Sequence, residues 1–372
     1  MTAKRILVTG GAGFVGSHTA DRLVKAGHDV VIYDNLTSQV HQNGVSYLPE
    51  GTEFVLGDMR DLDKLRQVVT GADVVYHLAA AVGVGQSMYQ IADYTSTNTL
   101  GTANLFQAIL DTRSTPEKLV VASSMSIYGE GKYLCRECGE VAPAPRPIDQ
   151  LKAKIWETLC PNCGEALIPV PTPEDKPLQS TSIYALSKKD QEEMTLLFGR
   201  TYHIPAVALR YFNIYGTRQA LSNPYTGVAA IFASRLMNRK SPVIFEDGWQ
   251  MRDFVSVHDV VEANLLAIER SESDGKTLNI GSGSPVTIRE VAGELARALG
   301  ASVPCDITGK YRAGDVRHCF ADVSAATRFL GYRPQVSLKE GIRELTAWLE
   351  SQPAKDNVDE AMQHLAVHGL VA

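Results

Sequence analysis

The stretch Arg5 to His18, reading RILVTGGAGFVGSH, fixes how this chain must begin to fold. Apolar-leaning residues Ile6 to Thr9 run straight into Gly10, Gly13 and Gly16, and an amphipathic segment with His18, Ala20, Leu23 and Val24 follows to a stop at Gly27. This reads as strand, glycine turn and helix. Gly10 permits the tight turn, Gly13 lets backbone approach a pyrophosphate, and Gly16 lets the helix pack close to its strand. The free N–H groups at the helix start, around Phe14 and Val15, then aim at an anion. A second strand, His28 to Tyr33, ends in Asp34, eighteen residues after Gly16. A carboxylate there accepts hydrogen bonds from a ribose diol and repels a 2′-phosphate. Asn35 and Leu36 follow with no arginine beside them, so the pattern points to NAD rather than NADP.

The rest of the first half repeats the alternation. Glu53 to Leu56 is a third strand ending in GDMRD, whose Asp58 and Met59 would lie over the adenine; Leu62 to Val69 has helical spacing. Ala72 to Leu78 is a fourth strand, and the small residues after it, beginning Leu78, Ala79, Ala80, let the cofactor's second half lie against backbone. Lys118 to Ala122 is a fifth, ending in Ser123 and Ser124. Strands alternating with helices indicate right-handed βαβ units: an α/β fold with a doubly wound parallel sheet that binds a dinucleotide at its carboxyl edge.

Bulk properties narrow the partners. At 372 residues, 44% hydrophobic and 21% charged, the chain can build a large core and more than one domain. Lys plus Arg total 36 against 42 Asp plus Glu, a net charge of −6, so no broad basic surface is expected for nucleic acid. No apolar run is long enough for a signal-peptide core or a membrane span, and a cytoplasmic protein with no membrane partner is expected.

The chemistry is written in SSMSIYG and, after a long interruption, STSIYALSKKDQEE. Tyr184 and Lys188 stand four apart at the start of a helical segment, one turn apart on one face. Tyrosine titrates near pKa ~10, and an adjacent ammonium with a positively charged nicotinamide favours the phenolate, making Tyr184 a base. Ser124 can share the substrate oxygen's proton. Tyr128 and Lys132 repeat the spacing, but Gly129 and Gly131 between them break any helix.

Together these segments resemble the extended short-chain dehydrogenase/reductase family, in its NAD-dependent nucleotide-sugar epimerase and dehydratase branch. The likeness runs from Lys4 to about Leu349 outside the interruption, through TGGAGFVG, Asp34, HLAA, Asn98, SSMSIYG, Tyr184-ALS-Lys188, LRYFNIYG, RDFVSVHD and RAGDVRH in family order. The resemblance implies Asn98 at the cofactor, Ser126 and Asn213 at the sugar nucleotide, and Arg252 and Arg312 on its diphosphate. Bidentate guanidinium groups suit phosphates better than lysines do.

From Ser124 to Tyr184 is 60 residues, where the resemblance leads one to expect about half as many. The excess holds CRECG at 135–139 and CPNCG at 160–164, with 21 residues between the inner cysteines, just outside the usual span of about 15–20. Cys135, Cys138, Cys160 and Cys163 read as a closed, structural zinc site, since four thiolates leave no position for water. Redox-active dithiols are the competing reading. Cys305 and Cys319 read as plain buried thiols.

The expected division is a Rossmann domain over 1–215, returning at about 252–270, with a zinc-ribbon insertion over about 131–170. A smaller discontinuous α/β substrate domain covers 216–251 and 271–350, including a strand at Leu278 to Gly281, and a tail helix covers 351–372. Dehydratases of the resembled branch place an Asp-Glu pair directly after the Ser/Thr. Met125 and Ser126 stand there and can serve as neither acid nor base. The expectation is therefore a nucleotide-sugar 4-epimerase working through a transient 4-keto sugar, as a homodimer. The ribbon-bearing sequence is similar to dTDP-L-rhamnose 4-epimerases, which favours a dTDP-6-deoxyhexose, with UDP-hexose or UDP-hexuronate next. An NAD(H)-dependent 4-keto-sugar reductase and a non-catalytic NAD-binding protein are the readings from other classes.

Overall fold

The computed structural model describes residues 2–41, 44–225, 227–312, 314–352 and 356–371. Five strands of the first half are β1 (Arg5–Thr9), β2 (Asp29–Asp34), β3 (Glu53–Leu56), β4 (Val74–His77) and β5 (Lys118–Ser124). They join Ala206–Tyr211 and Thr277–Ile280 in one seven-stranded parallel sheet. The spatial order is Thr277–Ile280, Ala206–Tyr211, β5, β4, β1, β2, β3. Near-continuous apolar strands such as ILV in β1 and VVIY in β2 are buried because helices cover both faces. The chain winds outward from β1 to β3 and then resumes on the other side at β4, so the switch point lies between the carboxyl ends of β1 and β4.

A smaller sheet follows at that carboxyl edge. Asn213–Tyr215 pairs with Met251–Ser256, which also pairs with Pro285–Thr287 and His318–Cys319. The RYFN motif thus straddles both sheets, Tyr211 ending one and Asn213 opening the other.

Two segments lie elsewhere than the sequence suggested. Thr277–Ile280, read as part of the substrate half, is the edge strand of the main sheet, with Leu278 opposite Leu209. A four-residue apolar run has no periodicity that tells which of two sheets it joins. Met251–Ser256, expected to return to the main sheet, is central in the small one. The helix after it makes the return, with Val260, Ala263 and Ala267 sharing a core with Ala20 and Leu23 of the first helix, Phe14–Lys25.

The interruption forms an antiparallel three-stranded sheet, Lys132–Cys135 flanked by Gly139–Val141 and Ile168–Val170, around a small core of Tyr133, Cys135, Cys160 and Leu167. The tail helix, Val358–Val367, packs against the molecule from both halves. Asn357 donates to the Ser222 carbonyl, Leu365 lies on Gly85, His368 stacks on Tyr89 at 4.6 Å, and Val371 bridges Arg312. Of the expected tail, residues 353–355 and 372 are outside the described residues.

Candidate active site

The glycine turn is built as its spacing requires. Gly10 sits at φ +69°, and a Cβ there would lie 2.7 Å from Ala79 backbone; at Gly16 one would lie 2.2 Å from the Gly10 carbonyl. The turn and the Leu78–Ala80 segment therefore press together at the switch point, with the start of the Phe14–Lys25 helix facing the same edge. Asp34 braces this turn, one carboxylate oxygen accepting from Ala12 N at 3.0 Å and the other from Leu36 N at 2.9 Å. Asn35 donates to Asp58, while Met59 is buried against Gly101. This set fits a dinucleotide: a cradle that side chains would fill, free helix N–H groups and a carboxylate at the second strand end.

Asn98 lies in Thr95–Leu100, a wider π-helical stretch before the Gly101–Asp111 helix, which no local residue pattern announced. Its amide accepts from Ala81 N at 2.7 Å and donates to Ala81 O and to Ser187 Oγ at 2.9 Å. It ties the loop after β4 to the helix that carries Tyr184 and Lys188.

That helix, Ile183–Tyr202, starts at Ser182, whose side chain accepts from Ala185 N, and Tyr184 N donates to Ser87 Oγ at 3.0 Å. Ser124 ends β5, accepts from Ser126 Oγ at 2.9 Å, and lies beside the Tyr184 phenol. Burial pushes the Tyr184 pKa up, and the Ser124 hydroxyl pulls the other way. Lys188 is buried and donates to Gln191 Oε1 at 2.7 Å. Burial lowers its ammonium to about 7, with the Glu192 carboxylate opposing. Gln191 passes the contact on to His77 at 3.0 Å and Thr102 at 3.0 Å, and His77 meets Thr9 at 2.9 Å. Burial, with Lys188 nearby, brings His77 down to about 3, so the imidazole is neutral. Sequence reasoning missed Gln191 and His77. Both sit in quoted motifs, HLAA and KKDQEE, and a polar residue i+3 from Lys188 was the available signal.

Tyr128 and Lys132 do not form a second pair. The Tyr128 phenol bonds Asn279 and Arg210, and Lys132 pairs with Glu140. Arg210 also holds Glu192, which accepts from Ser123, so the end of β5, the catalytic helix and the next strand are locked in one buried network.

On the substrate side, Asn213 Oδ1 and Ser180 Oγ are buried without a hydrogen-bond partner, polar atoms ready for a ligand. Arg252 and Arg312 converge on Asp315, at 3.9 Å and 2.8 Å. Arg252 also donates to the carbonyls of Met251, Val316 and Arg317, and Arg312 lies over the Phe245 ring at 4.8 Å.

In the insertion, the ligand atoms of Cys135, Cys138, Cys160 and Cys163 all lie within 4.8 Å of one another. Burial would raise the Cys160 thiol, but backbone N–H groups of Cys163 and Asn162 bring it down to about 7. Four convergent sulfurs with N–H donors suit a tetrahedral soft ion. Cys319 is buried as expected, whereas Cys305 is partly exposed.

A doubly wound sheet with a serine, a tyrosine and a lysine at its carboxyl edge defines a dinucleotide-dependent enzyme of the short-chain dehydrogenase/reductase type. The chain belongs to the NAD dependent epimerase/dehydratase family, whose profile matches residues 6–147; a GDP-mannose 4,6 dehydratase profile matches residues 164–345. It is 34% identical over 362 residues to dTDP-L-rhamnose 4-epimerase of Burkholderia thailandensis, covering 95% of this chain and 97% of that protein. Among solved structures, UDP-glucose 4-epimerase of Thermotoga maritima with UDP-glucose superposes with TM-score 0.75 at 30% identity, over 93% of this chain and 98% of that one. The Thermus thermophilus UDP-glucose 4-epimerase complex with NAD gives TM-score 0.74 at 29% identity, over 94% and 100%.

Proposed function

We propose that the protein is an NAD-dependent nucleotide-sugar 4-epimerase acting on a dTDP-6-deoxyhexose such as dTDP-L-rhamnose, with UDP-hexoses as the next candidates. The observation that carries this reading is Ser124 beside Tyr184, at the carboxyl edge of β5, with Lys188 one turn on. When bound, NAD supplies a reversible hydride acceptor for carbon 4 of the sugar. Tyr184 takes the 4-hydroxyl proton and returns it, and Ser124 holds the same oxygen in line. Lys188, pinned by Gln191, supplies the positive charge that favours the phenolate. Met125 and Ser126 form the turn after Ser124 and place no carboxyl group there, which disfavours loss of water across the 5,6-bond.

Asn213 and Ser180 are read as sugar-nucleotide contacts, Arg252 and Arg312 as diphosphate ligands that exchange Asp315 for phosphate. The four cysteines are read as holding one structural zinc ion per chain. A homodimer fits the exposed stripe of Leu186 and Leu197, three helical turns apart on the catalytic helix, with Leu100 exposed on the neighbouring element. A cytoplasmic location belongs to the same reading.

The test is to incubate the purified protein with UDP-, dTDP-, GDP- and CDP-sugars and to follow 4-epimers by NMR without added cofactor. Stoichiometric consumption of NADH instead of epimer formation would make it a reductase, and no change in any sugar would leave only a binding role. Metal analysis and sedimentation, the latter also with Leu197→Glu, test the zinc ion and the dimer.

A further inference from the structure

Insertion and substrate half meet through a buried charge cluster that the chemistry at Tyr184 does not use. The insertion contributes Arg146 and Glu157, with Glu130 at its entry; the substrate half contributes Glu246, Asp247, Arg317 and His318. Arg317 is the largest fully buried side chain. Its guanidinium bonds Glu157, Glu246 and Asp247. Glu157 also holds His318 Nε2 at 2.9 Å.

The backbone of the 315–318 segment is gripped from the same side. Glu130 accepts from Arg317 N at 2.8 Å and from His318 N at 3.3 Å, while Arg146 donates to Asp315 O at 3.0 Å and to Glu246 at 2.8 Å. The two arginines of the candidate diphosphate site rest on this same short segment. Arg312 rests on the Asp315 carboxylate, and Arg252 rests on the Val316 and Arg317 carbonyls. One stretch of backbone is thus held by Glu130 and Arg146 and contacted by both guanidinium groups.

We infer that Glu130, Arg146 and Glu157 are positioning residues for the nucleoside diphosphate, so that folding of the cysteine-bearing insertion and affinity for the sugar nucleotide are linked. The inference rests on the diphosphate role proposed for Arg252 and Arg312. None of the three touches the ligand; they fix the 315–318 backbone against which both guanidinium groups rest. A rigid support presents each fork already oriented, so binding loses less to ordering.

Calorimetry of the full chain with UDP and with dTDP as probes tests this, alongside the content of bound NAD and the melting temperature. Glu157→Gln, at the half-exposed rim of the cluster, should fold and bind the better nucleotide roughly tenfold more weakly, the equivalent of one charge-assisted hydrogen bond. Its NAD content should not change. Arg146→Lys keeps the charge without the fork and should fall between wild type and Arg146→Met. Treating wild type with a chelator until its metal is gone should weaken the same affinity. Folded Glu157→Gln and Arg146→Lys proteins that bind nucleotide as wild type does would overturn the inference, whatever their melting temperatures. If wild type itself binds neither nucleotide, the diphosphate reading fails instead.

Discussion

Two buried polar regions flank the cleft, and their partners answer burial differently. Around the Ile183–Tyr202 helix, His77 and Lys188 meet mainly uncharged partners. His77 is brought down to about 3 and Lys188 to about 7, and amide and hydroxyl groups of Gln191, Thr102 and Thr9 connect them. In the insertion clamp, carboxylates surround each guanidinium group. Burial alone would lower the Arg317 pKa and raise that of Glu157. Their mutual hydrogen bonds, with Asp247 and His318, instead raise Arg317 and bring Glu157 down to about 2. Where the partners are uncharged, desolvation disfavours the charged form; where ion partners surround a group, they keep it charged.

The largest effect is expected at Tyr184, the proposed proton acceptor. Tyr184→Phe should lower turnover by about 10²–10⁴-fold while bound NAD and nucleotide affinity stay near wild type, because a proton site is removed and little contact area. Unchanged turnover would remove Tyr184 from the mechanism.

Arg317→Met attacks the other region. It leaves Glu157, Glu246 and Asp247 facing one another, and urea unfolding should show a loss of about 3–5 kcal/mol, as for one partner removed from a buried ion pair. A loss below about 1 kcal/mol, the usual range of exposed pairs, would show that the clamp is hydrated in solution.

Lys188→Met sharpens the contrast through pH. The folded pKa lies below the unfolded one, so the native state binds fewer protons between about 7 and ~10.4 and wild-type stability rises with pH across that window. Removing the lysine should raise the melting temperature most at pH 7 and below, with the gain shrinking toward pH 10. A gain independent of pH would mean the ammonium is not strained by burial.

The smallest effect belongs to Glu157, whose side chain is 42% exposed. Its folded pKa is depressed, so its contribution is complete above the unfolded value of ~4.3 and disappears as pH falls toward about 2. Wild type and Glu157→Gln should therefore differ in urea midpoint at pH 6 and converge below pH 4. Parallel curves down to pH 3 would assign the difference to packing.

Much of the first region was legible because its signals are local. The glycine turn, the strand-end Asp34 and the i, i+4 pair Tyr184 and Lys188 each declare themselves within a few residues. The four cysteines did so through two short knuckles. The clamp was illegible for the opposite reason: Arg146, Glu157 and Arg317 are ordinary charged residues in sequence, and only the docking of the insertion buries them together. Thr277–Ile280 was misplaced on similar grounds, since pairing with Ala206–Tyr211 is a long-range choice that four residues do not encode. Asn98 was expected at the cofactor; its amide is hydrogen-bonded to Ala81 and Ser187, partners that a sequence alone does not show.

The clamp also imposes an order on the growing chain. Arg317 lies 160 residues beyond Glu157, its partner, so at about 5–20 residues per second a ribosome needs roughly 8 to 32 s to deliver it. For that interval Glu130 and Glu157 stay hydrated on a nascent polypeptide, while the cysteines at 135–163 are already all present. The proposed metal ion would gather the insertion early from local residues alone, and the guanidinium that anchors it to the second half arrives only 160 residues after Glu157. Docking then waits on that later segment, and an insertion starved of metal or oxidised would be in the wrong shape when Arg317 emerges.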